Sequence, residues 1–374
     1  MGRDGKDSVR PFMKPNVALV RGKFLNQYEM QSYEPLVDRY DLTASGSMRP
    51  FHDTFAFPTV KLWSPMDIPN FPYKMPIVNR LTIDAQYLWG LEKRLTGFDI
   101  AHTAETYYHY TSQALRAKRE GRVQAVVVTV LETIAHNNEG IWGRRGMKET
   151  ARNEVDHFIA VSKRAKDALI AEGTNPNKIT VIPYGIDTKR FSPSKEKKYV
   201  DRLNLLFVGR LEKEKGILDL LEVFKRLSHR KLHLTIVGTG SLKLEPMKNV
   251  SVITSSYDNM PKIYKSADIF VAPSKAIRTW EEQYNIALLE AQASGLAIIT
   301  TRCGAIPENV GSAAFIIPPN DISKLYEALL RVITDQSLRE SLAKASRLRA
   351  ESVHDVRIIS EKIDRLYHEI LSTC

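Results

Sequence analysis

Short apolar segments alternate with amphipathic helical segments along most of the chain, in two separate runs. In the first run Val17–Val20, Phe98–His102, Ala125–Val130, Ile159–Val161 and Ile179–Ile182 read as strands. Helices are expected from about Tyr28 to Val37 and over Lys163–Glu172, the latter stopped by Gly173. In the second run the strands are Leu203–Val208, Leu232–Val237, Ile269–Ala272 and Ala297–Thr300, with helices Leu218–Ser228, Ile286–Ser294 and Ile322–Ile333. Helical crossovers return the chain to the same end of a sheet, so this alternation demands parallel strands with helices on both faces. A chain of 374 residues also exceeds what one hydrophobic core normally serves.

The expectation is therefore an α/β chain of two doubly wound parallel-sheet domains. Residues 1–195 form the first and 196–352 the second, joined through the polar stretch Asp187–Lys198 with its Ser192-Pro193-Ser194. Residues 353–374 read as a C-terminal helix with Val356, Ile359, Ile363, Leu366 and Ile370 on one stripe, either a domain helix or a brace across both domains. Open parallel sheets bind ligands beyond the C-terminal ends of their strands, where strand order reverses. Two such domains facing each other place a site in a central cleft.

Composition narrows the function. With 43% apolar and 26% charged residues the chain is neither disordered nor fibrous. Its longest apolar runs fall far short of the roughly 20 residues of a membrane span. The opening Met1-Gly2-Arg3-Asp4-Gly5-Lys6 reads as a polar leader, with Lys6 where a myristoylation signal requires Ser or Thr. Two cysteines, Cys303 and Cys374, exclude a disulfide framework and a thiolate metal cluster. The expected location is the cytoplasm or the inner face of its membrane. The net charge of +11 is spread over both halves, and no zinc-finger, RNA-recognition or basic-zipper pattern accompanies it, so nucleic acid is not an expected partner.

The stretch Glu281–Ala291 carries the most chemistry. Asn285 is a good N-cap before a helix-favouring run, so the free N–H groups near Ile286 and Ala287 form a ready phosphate site. Glu282 and Glu290, eight residues apart, place their carboxylates on the order of 10 Å apart at the helical rise. That is too far for an acid/base pair and suited to separate hydroxyls of one extended ligand. Glu290 lies in an apolar setting and needs a partner there. Both glutamates have an ordinary reading as solvated acids.

These residues resemble the E-x7-E motif of the retaining GT-B glycosyltransferases of family 4. Val208-Gly209-Arg210-Leu211 with Lys215-Gly216 is similar to that family's strand-end basic pair, which clamps the donor diphosphate; Ile182–Asp187 with Phe191, Ala267–Ser274, Gly238-Thr239-Gly240 and Gly304–Glu308 match in order. An arginine fork and a lysine point charge suit phosphate oxygens. Position 243 is Lys243 rather than the third glycine of a dinucleotide fingerprint, which disfavours NAD. The resemblance implies a GT-B pair of Rossmann-like domains and metal-independent, retaining transfer of a sugar from a nucleotide-diphosphate donor to a glycan, lipid-linked or small-molecule acceptor, with no tightly bound cofactor. Arg210, Lys215, Ile286 and Ala287 would hold the diphosphate, Glu290 the ribose and Glu282 the sugar.

Departures stand beside the matches. Gln283 and Asn285 occupy positions where the family usually has glycine, and Leu131-Glu132-Thr133 follows the strand after which many relatives carry a histidine. Glu132 is the expected replacement, a carboxylate that could stabilise an oxocarbenium-like transition state, and its other reading is a loop glutamate. His102 and Glu105, with Asn26 and Glu29 from the first loop, are expected at neighbouring strand ends as an acceptor pocket; for His102 a satisfied core histidine is the other reading. Tyr107, Tyr108, Tyr110, Trp142, Arg144 and Arg145 are expected to form a surface for a membrane-bound acceptor. A nucleotide-sugar epimerase on the same fold and a catalytically inactive donor-binding partner protein remain open alternatives.

Overall fold

A computed structural model describes residues 14–194 and 202–373; the polar leader, the 195/196 boundary and Cys374 lie outside them. The first sheet consists of β1 (Asn16–Gly22), β2 (Asp41–Ser47), β3 (Thr59–Leu62), β4 (Phe98–Ala104), β5 (Val123–Val130), β6 (His157–Ala160) and β7 (Ile179–Val181). All neighbours pair in parallel, in the order β3-β2-β1-β4-β5-β6-β7. The second sheet holds β8 (Leu203–Val208), β9 (Leu232–Val237), β10 (Val250–Ile253), β11 (Ile269–Ala272), β12 (Ala297–Thr301) and β13 (Phe315–Ile317). It is also parallel, in the order β10-β9-β8-β11-β12-β13. In both sheets the strand order thus reverses once, between β1 and β4 and between β8 and β11, and ligand crevices belong at those two points.

The apolar runs became central strands because residues flanked by helices on both sides have no polar face to offer. Val17, Leu19, Ile100, Val127 and Ile299 are fully buried. Four strands had no such signal. β2 reads Asp-Leu-Thr-Ala-Ser-Gly-Ser, and β3, β10 and β13 are three or four residues long near the sheet edges. The helix expected from about Tyr28 to Val37 is instead two pieces, Gln27–Met30 and a single 3-10 turn Glu34–Leu36. Pro35 has no N–H to give and its ring crowds the preceding turn. The helix Gln336–Arg349, too polar to announce itself, packs beside β12.

After the wide turn Ala350–His354 the chain crosses back to the first sheet. There Val356–Thr373 buries Ile359, Ile363, Leu366, Tyr367 and Ile370 in one cluster with Val17, Leu19, Met30 and Tyr40. The expected stripe is real, and its partner is the core under the first sheet.

Several bonds hold the two sheets' layers face to face. The Glu308 carboxylate accepts from the Lys163 and Arg164 N–H groups at 2.6 and 2.9 Å, capping a helix of the other domain. Arg164 forms a two-pronged pair with Glu281. Tyr28 meets Tyr257 edge-on at 5.3 Å, and the Arg190 guanidinium lies 4.4 Å over the Tyr257 ring.

Candidate functional site in the interdomain cleft

The reversal point of the second sheet sends two loops into the cleft. After β8 the chain runs through Gly209 and Arg210 into the turn Lys213–Lys215, and Gly216 follows at φ +70°. A Cβ on Gly216 would stand 2.0 Å from the Pro273 carbonyl oxygen, so only glycine lets the turn approach the end of β11. Lys215 is thereby brought to Glu282, whose two oxygens it meets at 2.8 Å each. Ser274 donates a third bond to Glu282 at 2.8 Å, and the Lys215 ammonium sits 5.0 Å over the Trp280 ring. Arg210 is the more exposed cation, with a 3.4 Å contact to Glu214.

Gly304 supports this loop from behind. A Cβ there would lie 2.1 Å from the Glu282 carbonyl oxygen, which also accepts from the Ala305 N–H at 2.9 Å. Gly304→Ala is expected to displace Glu282 and cost about 3 kcal/mol, as clashes at positive-φ glycines do. Calorimetry of the variant checks this; an unchanged melting temperature would contradict the close approach.

Helix Ile286–Ala293 begins at Asn285, as the sequence predicts, but the Asn285 side chain makes no capping bond. Its carbonyl oxygen accepts from the Leu288 N–H and the Asn309 amide instead. The first-turn N–H groups at Ile286 and Ala287 therefore have no side-chain cap, and both residues line the cleft. Free donors and the positive end of the helix dipole coincide there. One turn on, Glu290 is buried and accepts from the Tyr264 hydroxyl at 2.6 Å. Burial raises its pKa to about 7, with the bonds from Tyr264 and Tyr257 and the nearby Arg190 charge opposing the rise.

Three adjoining cavities run along this wall. One of about 440 Å³ is lined by Arg210, Gly238, Ser255, Ile286, Ala287 and Glu290. A second, of about 300 Å³, is lined by Arg210, Lys215, Ser274, Glu282, Ile286 and Ala287. Tyr28 of the first domain and Ile286 of the second touch both, and both also touch a third cavity of about 250 Å³. The structure thus brings the six second-domain residues together, with Glu290 at one end, Glu282 at the other and the basic strand end between.

The third cavity lies at the reversal point of the first sheet and includes Asn26, Glu29 and Glu105 in its lining. Two of these are occupied. Asn26 caps its own helix, accepting from the Glu29 N–H at 2.8 Å, and Glu29 is paired at 2.6 Å with the buried Arg21. Glu105 differs. Its backbone is held at φ +57°, one carboxyl oxygen accepts from the Leu131 N–H at 2.9 Å, and the other is buried with no hydrogen-bond partner. Burial chiefly, and then the neighbouring Glu132 carboxylate, raise its pKa to about 8, against the opposing pull of Lys148. Left-handed backbone in a non-glycine residue together with an unmet buried carboxyl marks a site under constraint.

The other two first-domain expectations need correction. His102 is fully buried, with Nδ1 2.6 Å from the Tyr367 hydroxyl and Nε2 2.7 Å from the Thr129 hydroxyl. Burial and the Arg21 charge hold it neutral, well below its usual pKa. It faces the core because its position in β4 alternates away from the strand end. Glu132 spends one oxygen on the Thr133 and Ile134 N–H groups and the other on Asn137. It shapes its own loop rather than lining the third cavity. The expected aromatic surface is divided: Tyr107 and Tyr108 line the third cavity with Tyr110, Arg144 is buried against Asp84, and Trp142 and Arg145 remain exposed. Tyr28, His52 and Tyr257, which close the cleft, carried no local signal because they meet only through the tertiary fold.

Comparison with known proteins bears on these features. A family model described as "Glycosyltransferase Family 4" matches residues 49–190, and one described as "Glycosyl transferases group 1" matches residues 188–349. The capsular polysaccharide biosynthesis glycosyltransferase CapM of Staphylococcus aureus is 28% identical over 250 residues, 60% of this chain and 64% of that protein. The alignments span 64%, 50% and 41% of three curated relatives, so the chain covers less than two thirds of each. Sucrose-phosphate synthase from Thermosynechococcus elongatus superposes with a TM-score of 0.75 at 17% identity, over 96% of this chain and all of that one. The Anabaena HepE structure in complex with UDP and glucose superposes at 0.73 and 16%, over 95% of this chain and all of that one. With both halves matched in order and both sheets in place, the chain belongs to the GT-B glycosyltransferases, its first half of the family 4 type and its second half of the group 1 type.

Proposed function

We propose that the protein transfers a hexose from a nucleoside-diphosphate donor to a glycan or lipid-linked acceptor, with retention at the anomeric carbon. The reading takes residues 196–352 as the donor domain and residues 1–195 as the acceptor domain. The observation that carries it is the row of adjoining cavities with Arg210, Lys215 and the uncapped N–H groups of Ile286 and Ala287 between Glu290 and Glu282. In this reading the diphosphate lies on those cations and N–H groups, Glu290 binds the ribose and Glu282 a hydroxyl of the sugar. Fixed positive charge at the departing diphosphate is the main catalytic term, because donors already aimed at developing charge need no reorganisation. Glu105 faces the acceptor. Retention follows from the resemblance of the E-x7-E stretch, and the acceptor then attacks from the face that the diphosphate leaves.

Screening nucleotide sugars by thermal shift, then determining the product's anomeric configuration, tests this reading. One class of donor should raise the melting temperature by several degrees, and an inverted product from an anomerically pure donor would overturn retention. Chelator treatment is expected to leave turnover unchanged, since the diphosphate charge is met by protein cations; recovery of lost turnover by added divalent metal would contradict that.

Glu290 adds a pH signature. Its folded-state pKa of about 7 lies above the usual 4.5. The fold therefore favours the protonated acid, a contribution fully present below about 4.5 and lost as pH rises through about 7. Glu290→Gln should flatten the fall in melting temperature between these values, while abolishing the donor-induced shift.

A further inference from the structure

The third cavity, of about 250 Å³, has the room of a single monosaccharide ring. Of the fifteen residues that line it seven are aromatic and only three, Ala104, Leu131 and Ile286, are aliphatic, so its wall is poorly suited to an acyl chain. The rings are set at angles to one another. Phe24 meets Tyr108 at 38°, Tyr108 meets Tyr110 at 60° and Tyr107 at 67°, and Tyr184 meets Tyr284 at 87°. No parallel pair among these forms a slot for a flat ligand ring. The C–H bonds of a chair-shaped sugar, by contrast, project in several directions and carry the partial positive charge that an aromatic face attracts.

The charges of this wall are met from within. Among the lining residues Arg21 is the one cation, and it is fully buried. It donates to Glu29 at 2.6 Å, to the Tyr33 hydroxyl at 3.2 Å and to the carbonyl oxygens of Val20 and His102 at 3.0 and 2.7 Å, so each of its three nitrogens is engaged inside the protein. Burial pushes the Glu105 pKa up to about 8, which leaves that carboxyl uncharged near neutral pH. Polar demand nevertheless remains. One Glu105 carboxyl oxygen and the Tyr110 hydroxyl are buried with no hydrogen-bond partner, and both residues line the cavity. Gln283, at a position where the family usually has glycine, adds a side-chain amide to the same lining.

We infer that the third cavity takes the reacting unit of the acceptor as a neutral pyranose, with its C–H faces on Phe24 and Tyr108 and its hydroxyls on Glu105, Tyr110 and Gln283. Phosphorylated and carboxylated sugars are refused, because an anion buried with no free cation beside it loses its hydration without compensation. A flat phenolic acceptor is the poorer occupant for the ring angles given above, and it would leave the two buried polar groups unmet. Tyr28, Tyr284 and Ile286 line both this cavity and the one that includes Glu282, so a hydroxyl at that end of the ring faces the place proposed for the donor sugar. Calling this sugar the acceptor rests on the transfer proposed above; its neutral chemistry rests on the wall alone.

The test is saturation-transfer NMR of the full chain with the methyl pyranosides of glucose, galactose, mannose and N-acetylglucosamine, their 6-phosphates, and p-nitrophenol, each with UDP and then with GDP present. At least one neutral glycoside should show saturated ring C–H signals, and its phosphate should bind about tenfold more weakly or not at all. Tyr110→Phe removes only the unpartnered hydroxyl and keeps the ring. It should hold or raise the unliganded melting temperature while weakening the glycoside about tenfold, a split that a purely structural role of Tyr110 would not give. Phe24→Ala, at a half-buried position, should weaken it by about the same factor. A phosphate that binds as well as its glycoside, a phenol that binds where no glycoside does, silence from every glycoside, or full affinity in both variants overturns the inference. The donor-induced thermal shift is read on the same samples: its absence beside intact glycoside binding counts against the second-domain donor site alone.

Discussion

Lys215→Ala is expected to abolish the donor-induced thermal shift and also to lower the melting temperature of the unliganded protein. The second effect follows from the pairing with Glu282, in which the side chains are only 14% and 7% exposed. Removing one member of a buried pair leaves the other charge with too little solvation, and about 3 kcal/mol is the expected loss. Ser274 alone would still bond Glu282. Lys215→Met combined with Glu282→Gln separates stability from binding, because it removes both charges at once. That double variant should regain most of the stability while still failing to respond to the donor. If instead Lys215→Ala melts normally and still responds, the ammonium serves neither role and the diphosphate lies elsewhere.

Glu105 gives the second large effect. Burial pushes its pKa up to about 8, so it carries its proton at neutral pH; its second carboxyl oxygen is buried without a hydrogen-bond partner, and the residue lines the third cavity. A neutral carboxyl can donate a hydrogen bond to an acceptor hydroxyl, and a glutamine amide can do the same. Glu105→Gln is thus expected to keep turnover within about threefold at pH 6.5 and to lose the alkaline decline above about pH 8; Glu105→Ala should lose about a hundredfold. Burial raises this pKa most and the Glu132 carboxylate adds to the rise, while the Leu131 N–H, the Lys148 charge and the Glu132 N–H lower it. Stability follows the same sign: the contribution of the acid form is complete below about 4.5 and is lost as pH rises through about 8. Equal, hundredfold losses in both variants at pH 6.5 would show that the ionised carboxylate is the working form.

The two sheets were legible because strands buried on both faces must be continuously apolar. Leu203–Val208 and Val123–Val130 announce themselves in any reading. β2 did not, since a strand of threonine, serine and glycine is recognisable only by its neighbours β1 and β3. The second-domain wall of the cleft was legible for a related reason: Arg210, Lys215 and the Glu282–Glu290 stretch belong to loops and a helix start whose positions follow from the alternation itself. Sequence fixed their order, and the closeness of Lys215 to Glu282 needed the glycine-permitted approach of the turn to β11.

The first-domain side of the cleft depended on facts that local sequence does not hold. His102 and Glu105 are three residues apart in chain and look equally polar, but strand alternation sends His102 to the core and the chain's turn beyond β4 sends Glu105 to the cleft. The helix Lys74–Thr82 was likewise hard to orient, because it buries a lysine, Lys74, beside the apolar Val78. By itself the sequence determined the central strands of the two parallel sheets, most of their helices and the chemistry of the loop residues, all consequences of periodicity and residue type. Only the tertiary structure decided which of those polar groups lost their solvent and partners, because burial and charge pairing arise between segments far apart in the chain.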